Sequence, residues 1–297
     1  MSLPLAGLFC PVPTPFSDSG DAEPERLGAQ LRIYGELGLA GVVLFGTSGE
    51  GPLLDDDEEA ALLDAAVEAA PPEWTVIAQT GRESVRAARV AARRAESAGV
   101  DALLCLPPFY YPYGHDELAE YYRAVREASP LPLLAYHIPQ RTGVDLTADL
   151  LSGLADEGVL DGIKDSAGDL ALQEALRDRA GSAFSILSGS ARATAAAIAA
   201  GADGAILAVA DAAPEVAAEL VDAALSGRAE RADELRRSLA PLADAFGSRW
   251  GVPAIKAALD LRGWPGGGSP RPPLQPLGPE GREAVADALR EAGVDLS

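Results

Sequence analysis

The chain has 297 residues, 48% of them hydrophobic, enough for a sizeable core in one large domain or two small ones. A formal net charge of −21 argues against nucleic acid and anionic membranes as partners, although a few buried cations can still hold a small anion. No apolar run approaches the roughly 20 residues that span a bilayer, and the start, Met1 to Cys10, lacks the basic n-region and long apolar stretch of a signal peptide. Cys10 and Cys105 fall in apolar strand-like stretches and are expected as buried free thiols, so the chain reads as a soluble cytoplasmic protein.

Taken in order, Leu5 to Val12 is an apolar strand that ends in Pro13-Thr-Pro-Phe16, and Glu23 to Leu37 has helical spacing. Gly41 to Phe45 is a short strand, followed by the loop Gly46-Thr-Ser-Gly-Glu-Gly-Pro52 and a helix from about Asp55 to Ala69. Trp74 to Gln79 is a strand, and Ser84 to Ala98 a helix. Asp101 to Leu106 is a strand that opens into Pro107-Pro-Phe-Tyr-Tyr-Pro-Tyr-Gly114, with a helix near Asp116 to Ala128. Leu131 to His137 is a strand, followed by the loop Ile138-Pro-Gln-Arg-Thr-Gly143 and a helix from Thr147 to Ala155. Val159 to Lys164 is a strand with a helix from Asp169 to Arg179, and the strands Phe184 to Leu187 and Gly204 to Val209 each precede an Ala-rich helix.

Eight strand–helix units whose strands are continuous apolar runs predict an α/β fold, a (β/α)8 TIM barrel, over residues 1–224. An open doubly wound sheet is the alternative, and it lacks a G-x-G-x-x-G fingerprint after the first strand. From about Leu225 the pattern is helical only, which makes residues 225–297 a C-terminal helical segment that includes the connector Trp264-Pro-Gly-Gly-Gly-Ser-Pro-Arg-Pro-Pro273.

Only two lysines occur, Lys164 and Lys256; the remaining positive charge is arginine. Arginine keeps its proton in a protein, whereas a desolvated lysine can release it, and a neutral amine is the nucleophile that forms a Schiff base with a ketone. Lys164 stands at the end of a predicted barrel strand, where catalytic residues of such barrels collect. Thr47 and Ser48 follow the second strand, Tyr110 the fourth, Tyr136 ends the fifth and Arg141 follows it, so a barrel brings all of them to one mouth. Each has a plainer explanation by itself: a solvated strand-end lysine, an ordinary Gly-rich turn with an N-cap, rim-packing tyrosines, a surface ion pair for Arg141. His115 and His137 are the only histidines, and no metal-ligand cluster, phosphate loop or Ser/His/Asp set appears.

Segments across nearly the whole chain resemble the family of class I pyruvate-dependent aldolases that includes dihydrodipicolinate synthase and N-acetylneuraminate lyase. They are Pro13-Thr-Pro-Phe16, Gly46-Thr-Ser-Gly-Glu50, Pro108-Phe-Tyr-Tyr-Pro112, Tyr136-His-Ile-Pro139, Arg141-Thr-Gly143, Gly162-Ile-Lys-Asp-Ser-Ala-Gly-Asp169 and Arg271-Pro-Pro-Leu274, in the family's order and spacing. The resemblance implies that Lys164 forms an imine with pyruvate and that no other cofactor is needed. It implies that Thr47, Ser48 and backbone N–H groups hold the pyruvate carboxylate, beside a helix start that suits an anion. Tyr136 would shuttle protons through a relay of Thr47 and Tyr110, the latter donated by a neighbouring subunit; a phenol with a reference pKa of about 10 needs such a relay. That makes the protein a homo-oligomer, a dimer of dimers. Arg141 would grip the carboxylate of the second substrate, aspartate semialdehyde, and Gly189 and Ile206 would wall the pyruvate with their backbones.

Three departures from the synthase pattern are Ser48 for a second threonine, His137 for an asparagine and Phe109 for a tyrosine. The Pro108–Pro112 run looks more like the lyase branch, and Lys164–Asp169, Leu187–Ala191 and Gly251–Lys256 look more like keto-acid aldolases. The expected partners are therefore small keto acids and aldehydes. Arg141 favours condensation of pyruvate with aspartate semialdehyde. The alternative is cleavage of a 2-keto-3-deoxy sugar acid, 4-hydroxy-2-oxoglutarate or N-acetylneuraminate to pyruvate and an aldehyde. A third reading is an inactive keto-acid-binding paralogue.

Overall fold

The computed structural model describes residues 5–296; residues 1–4 and 297, among them the first positions of the stretch read as lacking a signal peptide, lie outside the described residues. Eight strands close into one all-parallel barrel in chain order, β1 beside β8. The strands are β1 (Gly7–Cys10), β2 (Gly41–Leu44), β3 (Thr75–Gln79), β4 (Ala102–Cys105), β5 (Leu133–His137), β6 (Gly162–Asp165), β7 (Ser185–Ser188) and β8 (Gly204–Ile206). The first helices outside them are α1 (Pro24–Tyr34), α2 (Asp56–Ala69), α3 (Val85–Ala98) and α4 (His115–Arg126). They continue with α5 (Pro139–Thr142), α6 (Ala148–Asp156), α7 (Leu170–Ala180), α8 (Thr194–Ala199) and α9 (Pro214–Leu225).

Side chains alternate between two cores, because successive strand residues point to opposite faces. Phe9, Val43, Ile77, Leu104, Leu134, Tyr136, Leu187 and Ile206 fill the barrel interior. Their strand neighbours, Leu8, Val42, Leu103, Leu133, Ile163 and Ile186, pack outward against the helices. The barrel closes where Gly7 pairs with Gly204. A Cβ on Gly204 would lie 2.1 Å from the Gly7 carbonyl oxygen, so only glycine fits that seam.

Several boundaries differ from the sequence reading. Val159 and Leu160 are buried but not in β6, because their N–H groups bond back to the Leu154 carbonyl and close the end of α6. Trp74 precedes β3 in a turn bond to Pro71. The stretch after β5, read as a loop, contains the single turn α5, which begins at Pro139 and ends at Gly143 with φ 68°. Four residues are too few to show a helical period.

Beyond α9 lie α10 (Ala229–Asp244), a π-turn at Ala245–Arg249, α11 (Val252–Leu261) and α12 (Pro279–Glu291). Leu235, Leu239 and Leu242 of α10 and Val285 and Leu289 of α12 join the same buried cluster as the barrel helices. Among the described residues no helix is long and apolar enough to cross a membrane.

Candidate active site

Tyr136 and Lys164 are register partners on β5 and β6. Both point into the barrel mouth and both are buried, Lys164 at 5% exposure. The Lys164 nitrogen lies 4.3 Å from the centroid of the Tyr136 ring. Among the described residues it has no ion-pair partner, unlike Lys256, whose ammonium lies 2.9 Å from Glu50 Oε1. Asp165, the next residue, faces the helices, where its carboxylate meets His137 Nδ1 at 3.1 Å and accepts from Gln173 and the Ala167 and Asp169 N–H groups. His137 also reaches Asp145, 3.2 Å from Nε2, so it braces loops outside the cavity.

The β2 loop supplies the hydroxyls. Thr47 Oγ1 is 3.2 Å from the Tyr136 hydroxyl, and the Gly49 carbonyl accepts from Thr14 Oγ1 at 2.6 Å. Phe45 and Glu50, at the two ends of the loop, have φ values of 60° and 54°, a left-handed conformation uncommon outside glycine. The resulting turn consumes the N–H groups of Glu50 and Gly51 in bonds to Thr47 and Gly46. Those of Thr47, Ser48 and Gly49 have no hydrogen-bond partner among the described residues, although Ser48 and Gly49 are buried. Successive free N–H groups in a turn form an anion-binding concavity.

The expected helix start is not beside this concavity. A short 3-10 turn at Gly51–Leu53 intervenes, and α2 begins at Asp56. Asp55 caps its amides with its own side chain, and acidic residues fill the first turn, so an anion here has to rely on the loop's own amides.

A cavity of about 460 Å³ opens over Lys164, lined by Thr47, Ser48, Tyr136, Arg141, Gly189 and Ile206 among others. The structure thus brings together all the residues singled out from the sequence except Tyr110. Arg141, exposed on α5, has no ion pair or side-chain hydrogen bond among the described residues, so the surface-pair explanation does not hold for it. A second cavity of about 510 Å³ shares Thr47, Tyr136, Ile138 and Arg141 with the first and adds Leu106, Phe109, Trp250 and Leu274. Tyr110 is 76% exposed; its hydroxyl bonds neither Thr47 nor Tyr136, and its backbone N–H donates to Glu83.

The electrostatics are uneven. Burial pushes the Tyr136 phenol up, but the Lys164 charge and hydrogen bonds with Thr47, Lys164 and Ser166 outweigh it and hold the phenol below its usual value of 10.0. Behind Ser48, burial drives the Asp211 carboxyl well above the usual carboxylate range, against hydrogen bonds from Cys10 and Ser48 and the charge of Lys164. The Cys10 thiol donates to Asp211 Oδ1 at 3.0 Å.

The sequence reading missed several of these residues. Ser166 lies two positions after Lys164, so strand alternation alone would have turned it toward the cavity. Gln140 holds the Ser166 carbonyl at 2.9 Å. Ser190, Ser248 and Phe246 enter the cavity wall from β7's end and the π-turn, and nothing local in the sequence marks them.

The chain matches the model of the dihydrodipicolinate synthetase family over residues 4–292. It belongs to that family. A 4-hydroxy-tetrahydrodipicolinate synthase of Parasynechococcus marenigrum is 35% identical over 289 residues, 96% of this chain and 95% of that one. One of Methanothrix thermoacetophila is 32% identical over 284 residues, 95% of each chain. The solved structure of a monomeric dihydrodipicolinate synthase variant superposes with a TM-score of 0.92 at 28% identity, covering 98% of each chain. Family membership fits the barrel and the mouth just described, with the buried Lys164, which has no ion-pair partner among the described residues, at its centre.

Proposed function

We propose that this chain is a Schiff-base-forming, pyruvate-dependent carbon–carbon lyase that condenses pyruvate with aspartate semialdehyde, a reading supported by its likeness to proteins named 4-hydroxy-tetrahydrodipicolinate synthase. The observation that carries the reading is Lys164, buried, free of a counter-ion and 4.3 Å from the Tyr136 ring, at the mouth of the barrel. Its amine attacks the keto carbon of pyruvate, and loss of water gives the imine. Tyr136, backed by Thr47, carries the protons that this dehydration and the following enamine formation require. The enamine then adds to the aldehyde, which leaves a new imine on Lys164; attack on that imine by water or by the amine of the second substrate breaks the carbon–nitrogen bond, releases the product and returns the free lysine. Thr47, Ser48 and the free loop amides hold the pyruvate carboxylate; Gly189 and Ile206 wall it in; and Arg141 holds the carboxylate of the second substrate. Every covalent intermediate, imine and enamine alike, is carried on the Lys164 nitrogen, and the reading needs no further cofactor.

The proton relay is completed by Tyr110 of a second copy of the chain. Tyr110 is exposed beside Phe109 and Tyr111, and the second cavity borders the Thr47–Tyr136 pair that such a hydroxyl has to reach. A homo-oligomer of at least two copies follows from this, and the association of two such dimers is proposed from the family resemblance alone. Two buried free thiols suit the reducing cytoplasm, where we place the enzyme.

A second reading rests on one observation. The lining of the first cavity has no carboxylate and several uncharged polar side chains, Ser166, Ser190, Ser248 and Gln140, which suit a polyhydroxylated chain. On that reading the enzyme cleaves a 2-keto-3-deoxy sugar acid or a related hydroxy-keto acid.

Borohydride reduction in the presence of pyruvate, followed by peptide mapping, is expected to leave the adduct on Lys164; no adduct there overturns the mechanism. A panel of pyruvate plus aspartate semialdehyde against 2-keto-3-deoxy acids decides the substrate. Binding of pyruvate with turnover of no panel member would instead indicate an inactive paralogue.

A further inference from the structure

The chain's other lysine is a buried group that the reaction does not use. Lys256, on α11, is fully buried. Its nitrogen lies 2.9 Å from Glu50 Oε1, an ion pair whose partners are 0% and 1% exposed. It donates to the Ser269 carbonyl at 3.0 Å and stands 4.3 Å from the centroid of the Phe16 ring. The other oxygen of Glu50 accepts the Arg271 backbone N–H at 2.8 Å. The Arg271 guanidinium, 4.3 Å from the centroid of the same Phe16 ring, binds Glu58 in the first turn of α2 and the carbonyls of Gly20 and Leu53. Glu50 thus ends the β2 loop in the centre of a network made largely by the C-terminal segment.

Two features call for a purpose. Burying two charges costs free energy that a well-packed apolar pair would not require. Glu50 also holds a left-handed backbone, φ 54°, which persists only where its surroundings over-determine it. Both features converge on the loop whose Thr47, Ser48 and Gly49 amides are left without partners. We infer that the Glu50–Lys256 ion pair is a positioning device: from the C-terminal segment it fixes the Gly46–Gly51 loop in the shape that presents the Thr47 and Ser48 hydroxyls and the free amides to the keto-acid carboxylate. The inference rests on the reading of that loop as a carboxylate cradle. Lys256 and Glu50 touch no substrate; they act through the loop, and residues 225–297 are thereby part of the active-site architecture.

The test is the double variant Glu50→Gln/Lys256→Met, which removes both charges together and leaves neither unpaired in the interior. Steady-state kinetics are expected to show a pyruvate KM raised about tenfold or more with kcat changed less than about threefold, the pattern of lost ground-state binding after a loop shift. Val125→Ala, in the last turn of α4 at the opposite end of the barrel, is the control: it lowers the melting temperature and leaves the pyruvate KM unchanged. An unchanged KM in a folded double variant overturns the inference, and so does an equal rise in Val125→Ala. If the double variant does not fold, Glu50→Asp decides: it keeps the charge and shortens its reach to Lys256, with an expected KM rise of about threefold from a loosened loop; no rise overturns the inference. Borohydride trapping of the wild type separates the two levels. An adduct on Lys164 with unmoved KM values overturns the positioning role alone, whereas no adduct overturns the reading beneath it.

Discussion

Tyr136 and Lys164 oppose each other residue for residue across β5 and β6, with the lysine nitrogen 4.3 Å from the tyrosine ring centroid. Register and barrel closure fix their Cα positions, so both side chains start from adjacent points on the same rim. The phenol hydroxyl is held in turn by Thr47, 3.2 Å away on a third strand's loop. On the proposed mechanism the nucleophile, the proton carrier and its partner thus stand on β6, β5 and the β2 loop.

Replacing Tyr136 by Phe removes the hydroxyl and keeps the ring that packs over Lys164. Turnover is expected to fall about 10²- to 10⁴-fold, the usual contribution of a positioned proton-transfer group, with a smaller change in pyruvate KM. Stopped-flow monitoring of imine formation checks it: the variant forms the adduct slowly. An unchanged rate would assign the proton transfer to another group.

Arg141→Ala is expected to raise the KM for aspartate semialdehyde about ten- to a hundredfold, since hydrogen bonds to a charged group contribute about 1.5–3 kcal/mol. The pyruvate KM is expected to stay within about twofold, because on this reading Thr47, Ser48 and the loop amides, not Arg141, hold that carboxylate. Equal effects on both substrates would place Arg141 on the pyruvate carboxylate instead.

Tyr110 gives a subunit-mixing prediction. Lys164→Ala and Tyr110→Ala are each expected to be nearly inactive. Co-refolded in equal amounts, hybrids regain one intact site each, and activity returns to about a quarter of wild type if a symmetric dimer exchanges Tyr110. No recovery would mean that each chain serves its own site.

Asp211 makes a prediction about stability. Burial raises its folded-state pKa well above 3.8. A raised value means that the folded protein keeps a proton which the unfolded chain releases, so the stabilisation is fully present below about 3.8 and is lost as pH rises toward the folded-state value. Asp211→Asn keeps the acceptor that Cys10 uses and removes the ionisation. Its melting temperature relative to wild type is expected to rise between pH 4 and pH 8, by about 2–4 °C for each 1 kcal/mol relieved. A difference that does not change with pH would show that Asp211 folds already ionised.

Much of the architecture is legible in the sequence because it is written in local periods. Eight apolar runs punctuated by helical spacing specify the barrel, and strand alternation places Lys164 inward and Asp165 outward. Lysine scarcity singled out Lys164. The same scarcity applied to Lys256, but its partner Glu50 lies far along the chain in a loop, and no local pattern connects them. Cys10 and Asp211, 201 positions apart, are hidden for the same reason. The helix start expected beside the carboxylate loop failed because a 3-10 turn and the Asp55 cap intervene, a matter of a few backbone angles.

The sequence by itself determined the fold, offered Lys164 as the candidate nucleophile and placed every candidate but Tyr110 at the barrel mouth, because strand order carries those ends to one rim whatever the details. Only the tertiary structure decided which of them meet. It joined Tyr136 to Thr47, left Arg141 without a partner and Tyr110 facing outward, and anchored the β2 loop to a lysine from the C-terminal segment. The physical reason is that ion pairs and hydrogen bonds depend on distances of about 3 Å, set by closure of the barrel and packing of its last helices, not by neighbours in the chain.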